Sequence, residues 1–138
     1  MANFVNIVDL CRDAVPAGAA RFIHGRLQDF TNEYSGSYPL VTLLPFTIQD
    51  HRGTPDAVFD FATIVVGFWQ EDRPDTTPSE REGLIDQMDV LSDQFLDSLQ
   101  DERGVRLTGI QKEPQYQMFQ GTLSGMAVQF RIDLVAPC

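Results

Sequence analysis

The sequence predicts an α+β fold: a twisted, mostly antiparallel β-sheet with a short N-terminal helix and one long helix, about residues 78–102, packed on the sheet. Three observations carry this. Thr77-Pro78-Ser79-Glu80 joins an N-cap threonine, a proline at the first helical position and a glutamate in the third, a capping box. Met126, Val128, Phe130, Ile132 and Leu134 alternate with Ala127, Gln129, Arg131 and Asp133, the period of a half-buried strand. Ala57 to Gln70 is apolar on both of its faces.

The chain begins with Phe4, Ile7, Val8, Cys11 and Ala14 at helical spacing, with Asn3 able to cap the start and Pro16 and Gly18 closing the end. Arg21 to Tyr34 fits either part of a helix or two short strands. Gly25 and the frequent aromatic residues favour strands. Ser35-Gly36-Ser37 reads as a turn, and Tyr38 to Phe46 as an apolar strand bracketed by Pro39 and Pro45. Thr47 to Asp56 is polar and reads as an exposed loop.

In the long strand, Phe59, Phe61, Val65 and Trp69 point one way, and Val58, Ala62, Ile64, Val66 and Phe68 the other. Both faces need cover, from core on one side and from a helix or a second chain on the other. The Phe59, Phe61 and Trp69 face is therefore either core or an oligomer interface, whose centre favours such aromatics. Asp60 in this strand faces a partner, pairs with an arginine, or sits at the strand's wet end. After the acidic turn Glu71 to Thr76, the long helix carries Leu84, Met88, Leu91, Phe95 and Leu99 as one stripe, supported by Ile85 and Leu96. Gly104 is a natural stop. Val105 to Lys112 reads as a strand broken by Pro114 and resumed over Tyr116 to Gln120.

One domain accounts for all 138 residues, with 43% hydrophobic content and ten phenylalanines to fill a core. The formal charge is -10 and the pI about 4.4, with one lysine, Lys112, beside nine arginines. No basic stripe is present, which disfavours direct nucleic-acid binding. Cys11 falls on the apolar side of its helix and Cys138 is the last residue, so neither a disulfide framework nor a zinc site is expected. No stretch approaches the about 18 apolar residues of a membrane span, and no signal peptide is recognisable, so a chain made in a reducing compartment is expected.

Catalytic, cofactor and metal chemistry finds no foothold. Gly121-Thr122-Leu123-Ser124-Gly125 has the serine one place late for a nucleophile elbow and reads as a hairpin turn. His24 reads as a structural strand residue and His51 as a solvated loop residue or a contact to another chain. Asp89, Asp93, Asp97 and Asp101 recur every four residues, with Asp86 nearby. They form either a solvated face or an acidic wall toward DNA or a basic partner. The charged contact candidates are Asp50, His51 and Arg52 in the first polar loop and Asp72, Arg73 and Asp75 in the acidic turn. Mixed signs within each loop suit subunit-to-subunit pairing, and mobile solvent-facing tips are the competing reading.

The layout as a whole resembles the tail-terminator proteins of tailed bacteriophages and the related tail-completion or neck proteins. The pieces that carry the resemblance are the helix Phe4 to Ala14, the strand opening Tyr38-Pro39-Leu40-Val41-Thr42, the strand Val58 to Gln70, the helix Pro78 to Gln100 and the strand Met126 to Leu134. The resemblance is one of element order and length and spans nearly the whole chain. It implies a non-enzymatic virion structural protein, assembled in the host cytoplasm into a ring, typically six-fold. The ring would meet tail-tube and neck or connector proteins and let DNA pass through its lumen without sequence-specific binding, with no membrane partner and no cofactor. A connector or tail-tube protein is the nearest alternative. A small-molecule enzyme or ligand-binding domain, and an adaptor for a basic partner, are the alternatives from other classes.

Overall fold

A computed structural model describes residues 3–19, 21–25, 38–49, 59–72, 75–117 and 123–135; within these, the side chains of residues 3–5, 49, 59, 60, 117 and 135 stand outside the description. The elements are α1 (Asn3–Ala14), β1 (Arg21–His24), β2 (Leu40–Leu43), β3 (Ile48–Gln49), β4 (Phe59–Glu71), α2 (Pro78–Gln100), β5 (Val105–Gln117) and β6 (Leu123–Val135). The fold is α+β. The sheet runs in the order β1-β2-β4-β6-β5, with β3 also paired to β4. Only β1 and β2 run parallel; the other pairs are antiparallel.

The helices share one face of the sheet. Ile7, Val8 and Cys11 of α1 join Met88, Phe95 and Leu99 of α2, Ile64, Val66 and Phe68 of β4, and Val128, Phe130 and Ile132 of β6 in a single buried cluster. Phe95 stands edge-on to Phe68 at 5.5 Å between ring centroids, a favoured aromatic geometry. Burial pushes the Cys11 thiol up to about 12, so it packs as a small hydrophobe and not as a thiolate.

The N-cap forms as the sequence predicts: Thr77 Oγ1 accepts from the Glu80 backbone N–H at 3.2 Å, with Pro78 opening the helix. The apolar stripe is rotated from the expected phase. Leu84 and Leu91 are half-buried, while Ile85, Ser92 and Leu96 are buried beside Met88, Phe95 and Leu99. The sheet lies under the Ile85–Leu96 side, and Ser92 fits there because its hydroxyl donates to the Asp89 carbonyl at 2.6 Å. The helix closes at Asp101, and Gly104, with φ 80, turns the chain into β5.

Three other expectations change. Pro114 does not break its strand: β5 runs through it, because β5 is an edge strand and a missing N–H on the outer edge costs no ladder bond. The irregularity lies earlier, between Thr108 and Gln111, where Gly109 takes φ +63. The polar segment after Thr47 is not all loop, since Ile48 and Gln49 pair with Ala62 and Phe61 as β3. The apolar strand read over Tyr38 to Phe46 narrows to β2. Of Arg21 to Tyr34, the part described is the strand β1; the turn at Ser35 to Ser37 and the tip of the β5–β6 hairpin lie outside the described residues.

Candidate functional site

Two polar clasps hold the helix layer to the sheet. At the end of β4, Asp72 is buried, 2% exposed, although the sequence places it in an acidic surface turn. Its Oδ2 accepts from Arg81 Nε at 2.6 Å, its Oδ1 accepts from Arg81 Nη2 at 3.3 Å, and the Ser124 hydroxyl donates to Oδ2. Arg81 is one turn inside α2, where side chains lean toward the helix N-terminus, so the guanidinium reaches back to Asp72 and to the Thr76 carbonyl at 3.4 Å. The Arg81 hydrogen bond, opposed by burial and helped by Ser124 and Thr76, holds the Asp72 carboxyl below the usual carboxylate range.

At the other edge Lys112 reaches from β5 to α2. Its Nζ donates to Asp89 Oδ1 at 2.7 Å and to Asp93 Oδ1. Partial burial lowers the ammonium's pKa, but the two carboxylates outweigh it and hold it above the ordinary lysine value. The aspartate row is therefore neither wholly solvated nor a continuous wall. Asp89 and Asp93 bind the sheet, while Asp97 and Asp101 stay exposed.

The sheet face away from the helices carries a second, smaller cluster. Ile23, Leu40, Trp69 and Leu123 are buried there, with Tyr38 and Leu44 against them. The Trp69 indole lies across Gly67, where a Cβ would stand 2.4 Å from its Nε1. With no side chain in the way, Nε1 donates to Thr42 Oγ1 at 2.8 Å, and Thr42 is the β2 residue opposite Gly67. His24, in β1, packs its ring 5.9 Å from Phe46, and burial, with Arg12 adding, keeps its pKa below the usual histidine value.

Farther along this face the described side chains are more exposed. Phe61 is half-buried under the Arg131 guanidinium, 3.8 Å from its ring centroid. Arg131 Nε also donates to Asp133 Oδ1 at 2.7 Å, and Arg106 Nη2 to Asp133 Oδ2 at 3.4 Å. Asp133, expected on the wet side of the last strand, is thus 2% exposed because two arginines enclose it. Between these ends Val65, Gln111, Lys112, Glu113, Gln115, Ala127 and Gln129 line an open groove.

Of the predicted charged contacts, Asp72 is spent inside the protein and cannot serve as a surface contact. Asp75 is exposed at the start of the turn before α2. Asp50, His51, Arg52 and Arg73 lie outside the described residues, as does the side chain of Asp60. The clasp residues Arg81 and Ser124 escape sequence reading because each reaches Asp72 from another element, and Arg131 because its ring contact, Phe61, lies on another strand. The one local signal is Arg131 and Asp133 two apart, on the same side of a strand. Among the described residues no three His, Cys, Asp or Glu side chains gather as a metal would require, and no helix is long and apolar enough to cross a membrane. No protein-family model matches the sequence, and no curated protein matches it.

Proposed function

We propose that this chain is a virion structural protein, a ring-forming tail terminator or head–tail joining subunit of a tailed bacteriophage, acting by assembly and not by catalysis. The observation that carries the reading is the order of elements: α1, a short-stranded start to the sheet, the long β4 delivering the chain into the long capped α2, and the closing pair β5 and β6. That is the succession on which the resemblance to tail-terminator proteins rests. A β4 that is apolar toward the helices and partly apolar on its other face adds to it, since a subunit of this shape gains by burying its second face against a neighbour.

In this reading the partners are copies of the chain itself, six in a ring, with tail-tube and neck or connector proteins above and below. The protein resides in the tail or neck of the particle, and DNA crosses the ring's lumen without being read. Asp75, together with Asp50, His51, Arg52 and Arg73, supplies charged contacts that set register between subunits more than affinity. A reconstruction of the phage particle tests the reading directly. Density for a ring of this chain at the head–tail junction is the expected result, and absence of the chain from the particle ends the proposal.

A further inference from the structure

We infer that Arg106 and Arg131, held together over the buried Asp133 carboxylate, dock one carboxylate of an acidic peptide segment on a partner protein, the segment lying extended along the groove beside them. The inference goes beyond the assembly reading and does not depend on it.

Register builds the site. On the sheet face away from α1 and α2, one cross-strand row is Phe61, Asp133 and Arg106, and the next is Thr63, Arg131 and Thr108. Cross-strand neighbours on one face stand about 5 Å apart at Cβ, so two guanidiniums and two hydroxyls share a small area. Asp133 lies beneath them, 2% exposed. It accepts from Arg131 Nε at 2.7 Å and from Arg106 Nη2 at 3.4 Å, and the Phe61 ring backs Arg131 at 3.8 Å. These contacts order Arg131 in advance, so less side-chain freedom is lost on binding than at an unsupported surface arginine. Arg106, Thr63 and Thr108 are exposed and Arg131 is half-buried, so a ligand can reach all four.

Charge sets the ligand. Two guanidiniums over one carboxylate leave a local charge of +1 in a chain whose formal charge is -10. Among the described residues, the other charged side chains on this face are Glu113 and Glu71, both exposed. Glu113 pairs with Ala127 and Glu71 with Leu123, which places them about 13 Å and about 26 Å along the sheet from Arg131. Both distances exceed the roughly 8 Å over which exposed charges act at physiological ionic strength. One residual positive charge matches one carboxylate, whereas a polyanion meets the chain's overall negative charge.

The groove favours a carboxylate carried on a chain over a free one. An exposed ion pair by itself contributes too little to hold a free carboxylate. The row after Arg131 is Val65, Gln129 and Gln111, which open the groove. Their amides can hydrogen-bond an extended backbone, and Val65 and Ala127 can take an apolar side chain. Glu113, farther along, disfavours a second acid there.

Pools of short, terminally blocked peptides, uncharged except for one glutamate, one lysine or neither, test the inference by their retention on the full-length protein. The glutamate pool should be retained at least about threefold more than the others. Arg106→Gln, in which Arg131 still holds Asp133, should bring it down to the neutral pool. Asp133→Asn raises the local charge and should increase glutamate retention, which a merely structural carboxylate would not do. Gln94→Glu, exposed on α2, removes the same net charge as Arg106→Gln and should leave retention unchanged. Circular dichroism checks that each variant folds, and Arg106→Gln decides alone if Asp133→Asn does not. Equal retention of the pools overturns the inference, as does glutamate retention that survives Arg106→Gln or falls equally in Gln94→Glu. Displacement of the peptides by millimolar sodium acetate, or stronger retention of a short oligodeoxynucleotide, also overturns it. These outcomes leave the phage reading standing, because that reading falls only if the chain is missing from the particle.

Discussion

Asp72 and Arg81 form an ion pair, 2.6 Å from Nε to Oδ2, that ties the end of β4 to the first turn of α2. The pair joins the strand's end directly to the start of the helix. Because the folded-state pKa of Asp72 is depressed, its contribution to stability is complete above the unfolded carboxylate range and is lost as pH falls through the folded value. Urea unfolding across an acidic pH series should show the wild type losing stability on acidification, with Asp72→Asn flatter at the acidic end and less stable at neutral pH. The Ser124→Ala variant, which removes a buried hydroxyl donor to this carboxylate, should cost about 2 kcal/mol.

The Thr77 cap gives a smaller, cleaner test. Thr77→Ala removes the acceptor for the Glu80 N–H and should cost about 1 kcal/mol. Thr77→Asp should retain most of the stability, because a carboxylate caps the same N–H and favours the positive end of the helix. Thermal melts of the three proteins check this; equal melting points would show that the helix start is held by Arg81 alone.

The rotated stripe of α2 predicts unequal losses along it. Leu96→Ala, at a buried position, should cost about 2–5 kcal/mol. Leu91→Ala, at a half-buried one, should cost clearly less. Denaturant midpoints at constant m-value rank them, and a larger loss at Leu91 would restore the phase expected from the leucine spacing.

Trp69 is the only tryptophan, so its fluorescence reports the small cluster on the sheet face away from α1 and α2. Gly67→Ala puts a methyl where the indole lies and should cost about 1–3 kcal/mol. It should also shift Trp69 emission to longer wavelength as the ring is displaced toward water. Thr42→Val removes the hydroxyl that accepts from the indole N–H and should destabilise without that displacement. An unshifted emission in Gly67→Ala would mean that the ring does not cross Gly67 in solution.

Local periodicity made much of this fold readable before any coordinates. The Thr77 cap, the alternation of β6 and the apolar side of α1 are decided by residues near one another in sequence. Asp72 was not readable, because a carboxylate in a polar turn looks solvated until Arg81 of α2 and Ser124 of β6 are brought to it; Asp133 looks solvated on the wet side of its strand until Arg106 reaches it from β5 beside its own neighbour Arg131. Pro114 misled for a related reason: whether a proline ends a strand depends on whether that strand is an edge, a property of the sheet and not of the segment. The phase of α2 shifted because α1 and the sheet meet it along Ile85, Ser92 and Leu96, and a helical wheel does not contain its neighbours.

The bridge from Lys112 to Asp89 and Asp93 has a chemical consequence. Lys112 is the one side-chain amine in the protein, so acylating reagents find a single side-chain address. That amine is protonated and clasped by two carboxylates, so it reacts more slowly than a freely solvated lysine and only while it is released from Asp89 and Asp93. The rate at which Lys112 is acylated thus reports how often the clasp between β5 and α2 is released. Once acylated it loses its charge and can no longer close the clasp, so the label that records the opening also holds it open.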